Sequence, residues 1–85
     1  MIVRIWEARV QSGKLDEMLQ WVRRDAIPRA LNSPGCLATE VLAGPGEPAR
    51  VLLITRWDEA PRFEEGSPGP ELLRQAGASH FETVH

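Results

Sequence analysis

IVRIWEARV, residues 2–10, is rich in β-branched and aromatic residues and contains neither proline nor glycine, which predicts a β-strand. Its apolar side chains would point to both faces in two sets: Val3 and Ile5, and Ile2, Trp6, Ala8 and Val10. A strand with one face in water alternates apolar and polar residues more regularly. The pattern therefore predicts a central strand in a sheet that is covered on both sides.

A helix is predicted after the turn at residues 11–13. Apolar residues recur there at helical spacing and form one stripe: Leu15, Met18, Leu19, Val22 and Ala26. Pro28 lacks a backbone N–H group, so we expect it to kink or end this helix nearby.

Two further strands are predicted at residues 36–43 and 50–57, joined by a Gly-Pro-rich loop. The second of them, RVLLITRW, again has apolar residues on both faces. It is therefore the second candidate for a central strand.

The C-terminal third is predicted to contain short helices. Asp58 can cap a helix that runs to about Glu65, after which Gly and Pro break the chain at residues 66–70. Residues 71–78 resemble another helical segment, and residues 80–85 form either a short last strand or no strand. Glu64 and Glu65 are interpreted as part of a solvated helix face.

This order of elements corresponds to the ferredoxin-like βαββα(β) plan, an α+β fold with a four-stranded antiparallel sheet. We place the first and third strands in the centre of the sheet, as a parallel pair, with both helices on one face. The other face needs a cover, and a second copy of the chain is the simplest one. The sequence thus predicts one domain, residues 1–85, that forms a homodimer.

Composition excludes several classes of protein. The 85 residues carry a net charge of −2 at pH 7, which argues against nucleic-acid and anionic-membrane partners. A membrane-spanning helix needs about 20 apolar residues, and no apolar run in the sequence approaches that length. No signal-peptide pattern is present, so we expect a cytoplasmic protein. Cys36, His80 and His85 are too few for a structural zinc site, and Cys36 is interpreted as structural.

Five short motifs resemble the antibiotic biosynthesis monooxygenase family: Ile2-Val3-Arg4-Ile5-Trp6, Gly13-Lys14-Leu15-Asp16-Glu17, Ile27-Pro28, Ser33-Pro34-Gly35-Cys36-Leu37 and Thr55-Arg56-Trp57. The resemblance covers residues 1–65 and returns at residues 81–84. It implies a dimeric α+β barrel and a cofactor-independent monooxygenase that acts on a quinol- or anthrone-like aromatic substrate. The family's His-Tyr pair in the last strand has no counterpart, because the sequence contains no tyrosine.

Under this resemblance, six residues become candidates for the site. His80 is the candidate catalytic base, because histidine titrates near neutrality. The candidate substrate contacts are Arg4, Trp6, Arg56, Trp57 and Phe63, since fixed cations stabilise oxyanions and aromatic side chains line flat pockets. Packing roles for the tryptophans, and ion pairs of the arginines with Glu7 or Glu40, are the simpler alternatives. No chemistry is expected of Trp21.

Two other functions compete with the monooxygenase. The haem-degrading branch of the family uses an Asn in the first strand and a Trp and a His near the second helix. Here the first strand has no Asn, position 66 is Gly, and no His precedes His80, so haem chemistry ranks low. A non-catalytic dimeric module that binds a small aromatic ligand, or serves as an interaction domain, remains a close alternative. We expect no cofactor and no metal.

Overall fold

A computed structural model describes residues 1–84 of the chain. Its sheet contains β1 (Ile2–Val10), β2 (Cys36–Gly44), β3 (Arg50–Trp57) and β4 (Leu73–Glu82). The strand order is β2-β3-β1-β4, which confirms the four-stranded antiparallel sheet with the first and third strands at its centre. His85, which the sequence analysis placed in the ambiguous last segment, lies outside the described residues.

The two central strands run antiparallel to each other, so the prediction of a parallel pair is wrong. The connections explain the true direction. A helix carries the chain from β1 to β2, and these two strands run the same way because both are antiparallel to β3 between them.

The helix begins at Leu15 and continues through residue 31, in three parts: α1 (Leu15–Trp21), a π-helical stretch (Val22–Ala26) and α2 (Ile27–Leu31). Met18, Val22 and Ala26 of the predicted stripe are fully buried against the sheet. Pro28 does not end the helix. The wider π turns precede it, with the Ile27 amide bonded to the Val22 carbonyl, and such turns accommodate a residue that cannot donate.

The helix predicted from Asp58 to Glu65 is absent from the described chain. The Asp58 amide donates to the Gly35 carbonyl, and the alternate residues Phe63 and Glu65 are both buried. Burial of every second side chain is typical of an extended segment. These tertiary contacts outweigh the local capping signal.

The helix predicted for residues 71–78 is also wrong. Most of this stretch belongs to β4, which pairs with β1 from Ile2–Glu82 to Val10–Leu73. The last strand is therefore ten residues long, neither short nor missing. Pairing with the free edge of β1 gives residues 73–82 a ladder of hydrogen bonds. The stabilisation from this pairing outweighs the local helix propensity of Leu-Leu-Arg-Gln-Ala.

The core lies between the helix and one face of the sheet. It has two clusters: one around Trp6, Val10, Met18, Val22 and Leu53, and one of Ala30, Trp57 and Phe63. No helix covers the opposite face of the sheet in residues 1–84, and apolar side chains there are half-buried or exposed.

Candidate active site

Arg4 organises the polar part of the helix-side face. Its Nε donates to Glu65 Oε2 at 2.8 Å, and its Nη2 donates to Glu65 Oε1 at 2.7 Å. The Arg4 side chain is 14% exposed and that of Glu65 only 2%, so this is a buried, bidentate ion pair. The pair fixes the plane and position of the guanidinium.

His80 completes the cluster from β4. Arg4 and His80 are register partners, and Arg4 Nη1 lies 2.8 Å from His80 Nε2. An arginine can only donate, so Nε2 of His80 accepts and its Nδ1 carries the proton of the neutral ring. His80 itself is exposed, which leaves the group open to an incoming ligand.

The Arg4 guanidinium is held as a permanent cation. The hydrogen bond that Arg4 donates to Glu65 raises the pKa of Arg4, against the opposing effect of burial, and the charges of Glu65 and Glu64 add to the rise. Within residues 1–84, N–H groups on Nη1 and Nη2 of Arg4 are without a partner once the bonds to Glu65 and His80 are counted. The site therefore offers an oxyanion a positively charged guanidinium in a fixed position, with N–H groups on Nη1 and Nη2 that can still donate.

Aromatic side chains lie on both sides of Arg4 along the sheet. Trp6, two residues further on β1, is 4% exposed, and its ring lies 5.9 Å from that of Trp21 on the helix. Next to Trp6 on β4, Ala76 and Ala78 are exposed on the same face. These small residues form an exposed surface beside the buried Trp6, and we call this surface the shelf.

Trp57 and Phe63 form the aromatic cluster on the other side. Their ring centroids are 5.7 Å apart, and both side chains are buried against Ala30. Trp57 Nε1 donates to Thr55 Oγ1 at 2.8 Å, which satisfies the only polar atom of the indole ring. Trp57 and Phe63 thus anchor the sheet to the helix end and to the segment after β3.

Arg56 is not part of this group. It lies on the opposite face of the sheet, where its Nη1 is 3.9 Å from Glu40 Oε1. The structure therefore brings together Arg4, Trp6 and His80, places Trp57 and Phe63 in the adjacent cluster, and separates Arg56 from all of them.

Glu65 is the functional residue that sequence reasoning missed. It was interpreted as a solvated helix residue, yet its carboxylate is the counter-ion of Arg4 and its backbone carbonyl accepts from Arg29. The one usable signal was its spacing: Glu65 follows the apolar Phe63 by two residues, as in an extended segment with one buried side.

The opposite face of the sheet carries a groove of about 440 Å³ along β1 and β4, lined in part by Ile5, Arg9, Gly77 and Phe81.

Cys36 is half-buried at the start of β2, and burial raises the pKa of its thiol. Within residues 1–84, no three His, Cys, Asp or Glu side chains are grouped to hold a metal ion. The same residues include no helix long and apolar enough to cross a membrane.

Two solved structures share this fold. One is a mutant of MhuD with two manganese protoporphyrin IX molecules bound per active site, with a TM-score of 0.74 and 20% identity over 100% of this chain and 96% of that one. The other is a Bacillus cereus protein assigned to antibiotic biosynthesis monooxygenases, with a TM-score of 0.69 and 13% identity over 100% and 97% of the two chains. At these identities the likeness establishes the fold alone.

No functionally curated protein sequence matches the chain significantly. The antibiotic biosynthesis monooxygenase family, in contrast, matches residues 1–68, which include β1, the helix, β2, β3 and the Glu65 carboxylate. The chain therefore belongs to the antibiotic biosynthesis monooxygenase family.

Proposed function

We propose that this protein is a cofactor-independent monooxygenase that acts on a quinol- or anthrone-like aromatic substrate. The observation that carries the proposal is the cluster in which Arg4 contacts both Glu65 and His80 beside the shelf at Trp6. A cation and a base that share one hydrogen bond can together deprotonate a weak acid and hold the resulting oxyanion.

In this mechanism the substrate oxygen enters between Arg4 and His80. His80 Nε2 takes the acidic proton of the anthrone, and Arg4 stabilises the negative charge on the substrate oxygen. The carbanion then gives an electron to O₂, and the two radicals combine to a peroxide that His80 reprotonates. Loss of water leaves a quinone carbonyl, so one oxygen atom enters the product, the other becomes water, and the substrate supplies the electrons.

The aromatic residues complete the proposed pocket. Trp6 would form its floor, with the exposed Ala76 and Ala78 leaving space for the substrate rings. Trp57 and Phe63 would close the far end. The position of Arg56 on the opposite face supports no contact with a substrate in this pocket.

The test is oxygen uptake with an anthrone by His80→Ala. Loss of the base should lower the rate by about 10²–10⁴-fold while folding is unchanged. Ser79→Ala is the matched control, because Ser79 is the adjacent β4 residue and points to the opposite face. Uptake that survives in His80→Ala removes His80 from the mechanism.

A non-catalytic ligand-binding module is the second candidate. One observation favours it: the Nε2 lone pair that a base needs already accepts a hydrogen bond from Arg4. Saturable binding of an anthrone without oxygen uptake would support this function. Haem is a further probe, because MhuD is a fold neighbour that holds a metalloporphyrin, although the first strand here lacks the Asn of that branch.

We further propose that the protein forms a homodimer through the sheet face opposite the helix. The apolar residues on this face span all four strands: Val3, Ile5, Leu42, Leu52, Ile54 and Phe81. Hydrophobic side chains in a contiguous patch of this kind mark interaction surfaces.

The cytoplasmic location expected from the sequence stays a prediction.

A further inference from the structure

Residues 58–72 cross the helix-side face between β3 and β4 without helix or strand, and we call them the strap. Three buried side chains hold the strap down: Phe63 in the Trp57 cluster, Glu65 on Arg4, and Leu72 in the main core. The Gln11 amide also donates to the Leu72 carbonyl at 2.8 Å. Apolar contacts of Phe63 and Leu72 therefore anchor the strap on either side of Glu65, and at Glu65 itself Arg4 binds the carboxylate and Arg29 binds the backbone carbonyl.

The Arg4–Glu65 ion pair contributes to stability differently from the apolar contacts of Phe63 and Leu72. Burying an ion pair costs desolvation that offsets much of its Coulomb attraction, so the Arg4–Glu65 pair adds little net stability. The carboxylate of a ligand can replace the Glu65 carboxylate on Arg4 with the same two hydrogen bonds. The buried side chains of Phe63 and Leu72 have no comparable competitor. Glu65 then regains its hydration when the strap lifts.

The backbone beside Glu65 turns at two glycines. Gly66 and Gly69 have φ values of +81° and +103°, in the region that favours glycine. At Gly66 a Cβ would lie 2.8 Å from Arg29 Nη2, the group that donates to the Glu65 carbonyl. Between the two glycines lie the exposed Ser67 and the half-buried Pro68, so no fully buried side chain holds this part of the strap.

We infer that the strap is a lid latched by Glu65, and that an aromatic ligand carrying a carboxylate opens it by replacing Glu65 on Arg4. The inference rests on the binding site of the proposed function, but it does not depend on turnover. It deepens that function by naming the ligand class: an anionic aromatic whose carboxylate takes the two N–H groups now held by Glu65, while its rings lie over the exposed Ala76 and Ala78.

Calorimetric binding of anthraquinone-2-carboxylate, with the neutral 2-carboxamide for comparison, tests the latch without any reaction. In Glu65→Gln the internal competitor loses its charge, so the carboxylate should bind about tenfold more tightly than to the wild type, which is the effect of one charge-assisted hydrogen bond. The carboxamide should bind both proteins alike. Glu64→Gln removes the same charge at the exposed neighbour, which has the smallest of the effects on Arg4, and should change the affinity far less than Glu65→Gln.

Equal affinity of the carboxylate for Glu65→Gln and Glu64→Gln would overturn the inference. So would an equal gain for the carboxamide, since that would mean that the strap blocks the site by its bulk alone.

Hydrogen exchange in the wild-type protein provides a second test that needs no variant to fold. The carboxylate should speed exchange of the strap amides at residues 64–69, and the carboxamide should not. Slower or unchanged exchange with bound carboxylate would show that Glu65 stays on Arg4, and would overturn the latch. Oxygen uptake is absent from both tests, so a failed latch and a failed monooxygenase give different results.

Discussion

At the level of single residues, Arg4 connects everything else in the site. It holds the buried Glu65 through two hydrogen bonds and His80 through a third. The sequence identified Arg4 and His80 as candidates, because a cation in an apolar strand and one of only two histidines are visible in the sequence. It missed Glu65, since the two-residue spacing from Phe63 indicates burial only in an extended segment, and no local signal indicates an arginine 61 positions away.

Thr55 offers a prediction at this level. Its hydroxyl is the acceptor for the buried indole N–H of Trp57, and both residues are fully buried. Thr55→Val keeps the shape but leaves that N–H unsatisfied, which should lower the free energy of unfolding by about 1–3 kcal/mol. Urea denaturation measures the change.

Thr39→Val is the control for this substitution. Thr39 is the register partner of Thr55 on β2, and its hydroxyl makes no side-chain hydrogen bond within residues 1–84. A loss in Thr39→Val as large as that in Thr55→Val would mean that β-branched packing, rather than the indole bond, sets the cost.

At the level of elements, the first three strands and the helix follow from local pattern, whereas the strap and β4 do not. Runs of β-branched and other apolar residues placed β1 and β3 where the structure has them, and helical periodicity placed the helix start. Residues 58–82 have local signals for helix, namely a capping Asp58 and good helix formers after Pro70. Pairing with β1 and burial of Glu65 override those signals, and both depend on residues far away in the sequence.

Gly66 gives the prediction for the strap. Gly66→Ala forces a left-handed conformation on alanine and brings its Cβ against Arg29 Nη2, so the free energy of unfolding should fall by about 1–2 kcal/mol. Gly44→Ala is the matched control: Gly44 lies in β2 outside the left-handed region, and the nearest atom to its Cβ is 3.8 Å away. Thermal unfolding should show a loss in the first variant and none in the second. No loss in Gly66→Ala would mean that the strap adapts without its glycine.

At the level of the whole molecule, the proposed dimer rests on the uncovered sheet face. Apolar side chains lie along its middle, and the ion pairs Glu7–Arg50 at 3.8 Å and Glu40–Arg56 at 3.9 Å lie among them. A charge placed in the centre of an apolar interface costs several kcal/mol unless it is paired. The proposed dimer should therefore be sensitive to a single substitution in the middle of this face.

Ile54→Glu is that substitution, since Ile54 pairs with Ile5 across the two central strands. We expect light scattering to give a dimer mass for the wild type and a monomer mass for Ile54→Glu. Leu31→Glu alters a 55% exposed leucine at the end of the helix and should remain a dimer. A wild-type monomer at micromolar concentration would contradict the proposed interface.

Labelled oxygen gives the sharpest test of the proposed chemistry. The wild-type protein is saturated with an anthrone under nitrogen, mixed with ¹⁸O₂, and the quinone is examined by mass spectrometry alongside a protein-free sample. The mechanism at Arg4 and His80 predicts rapid formation of a quinone with one ¹⁸O atom, the second appearing in water and no hydrogen peroxide released. Quinone formed no faster than without protein, or accompanied by equal hydrogen peroxide, would contradict it and leave a binding site without catalysis.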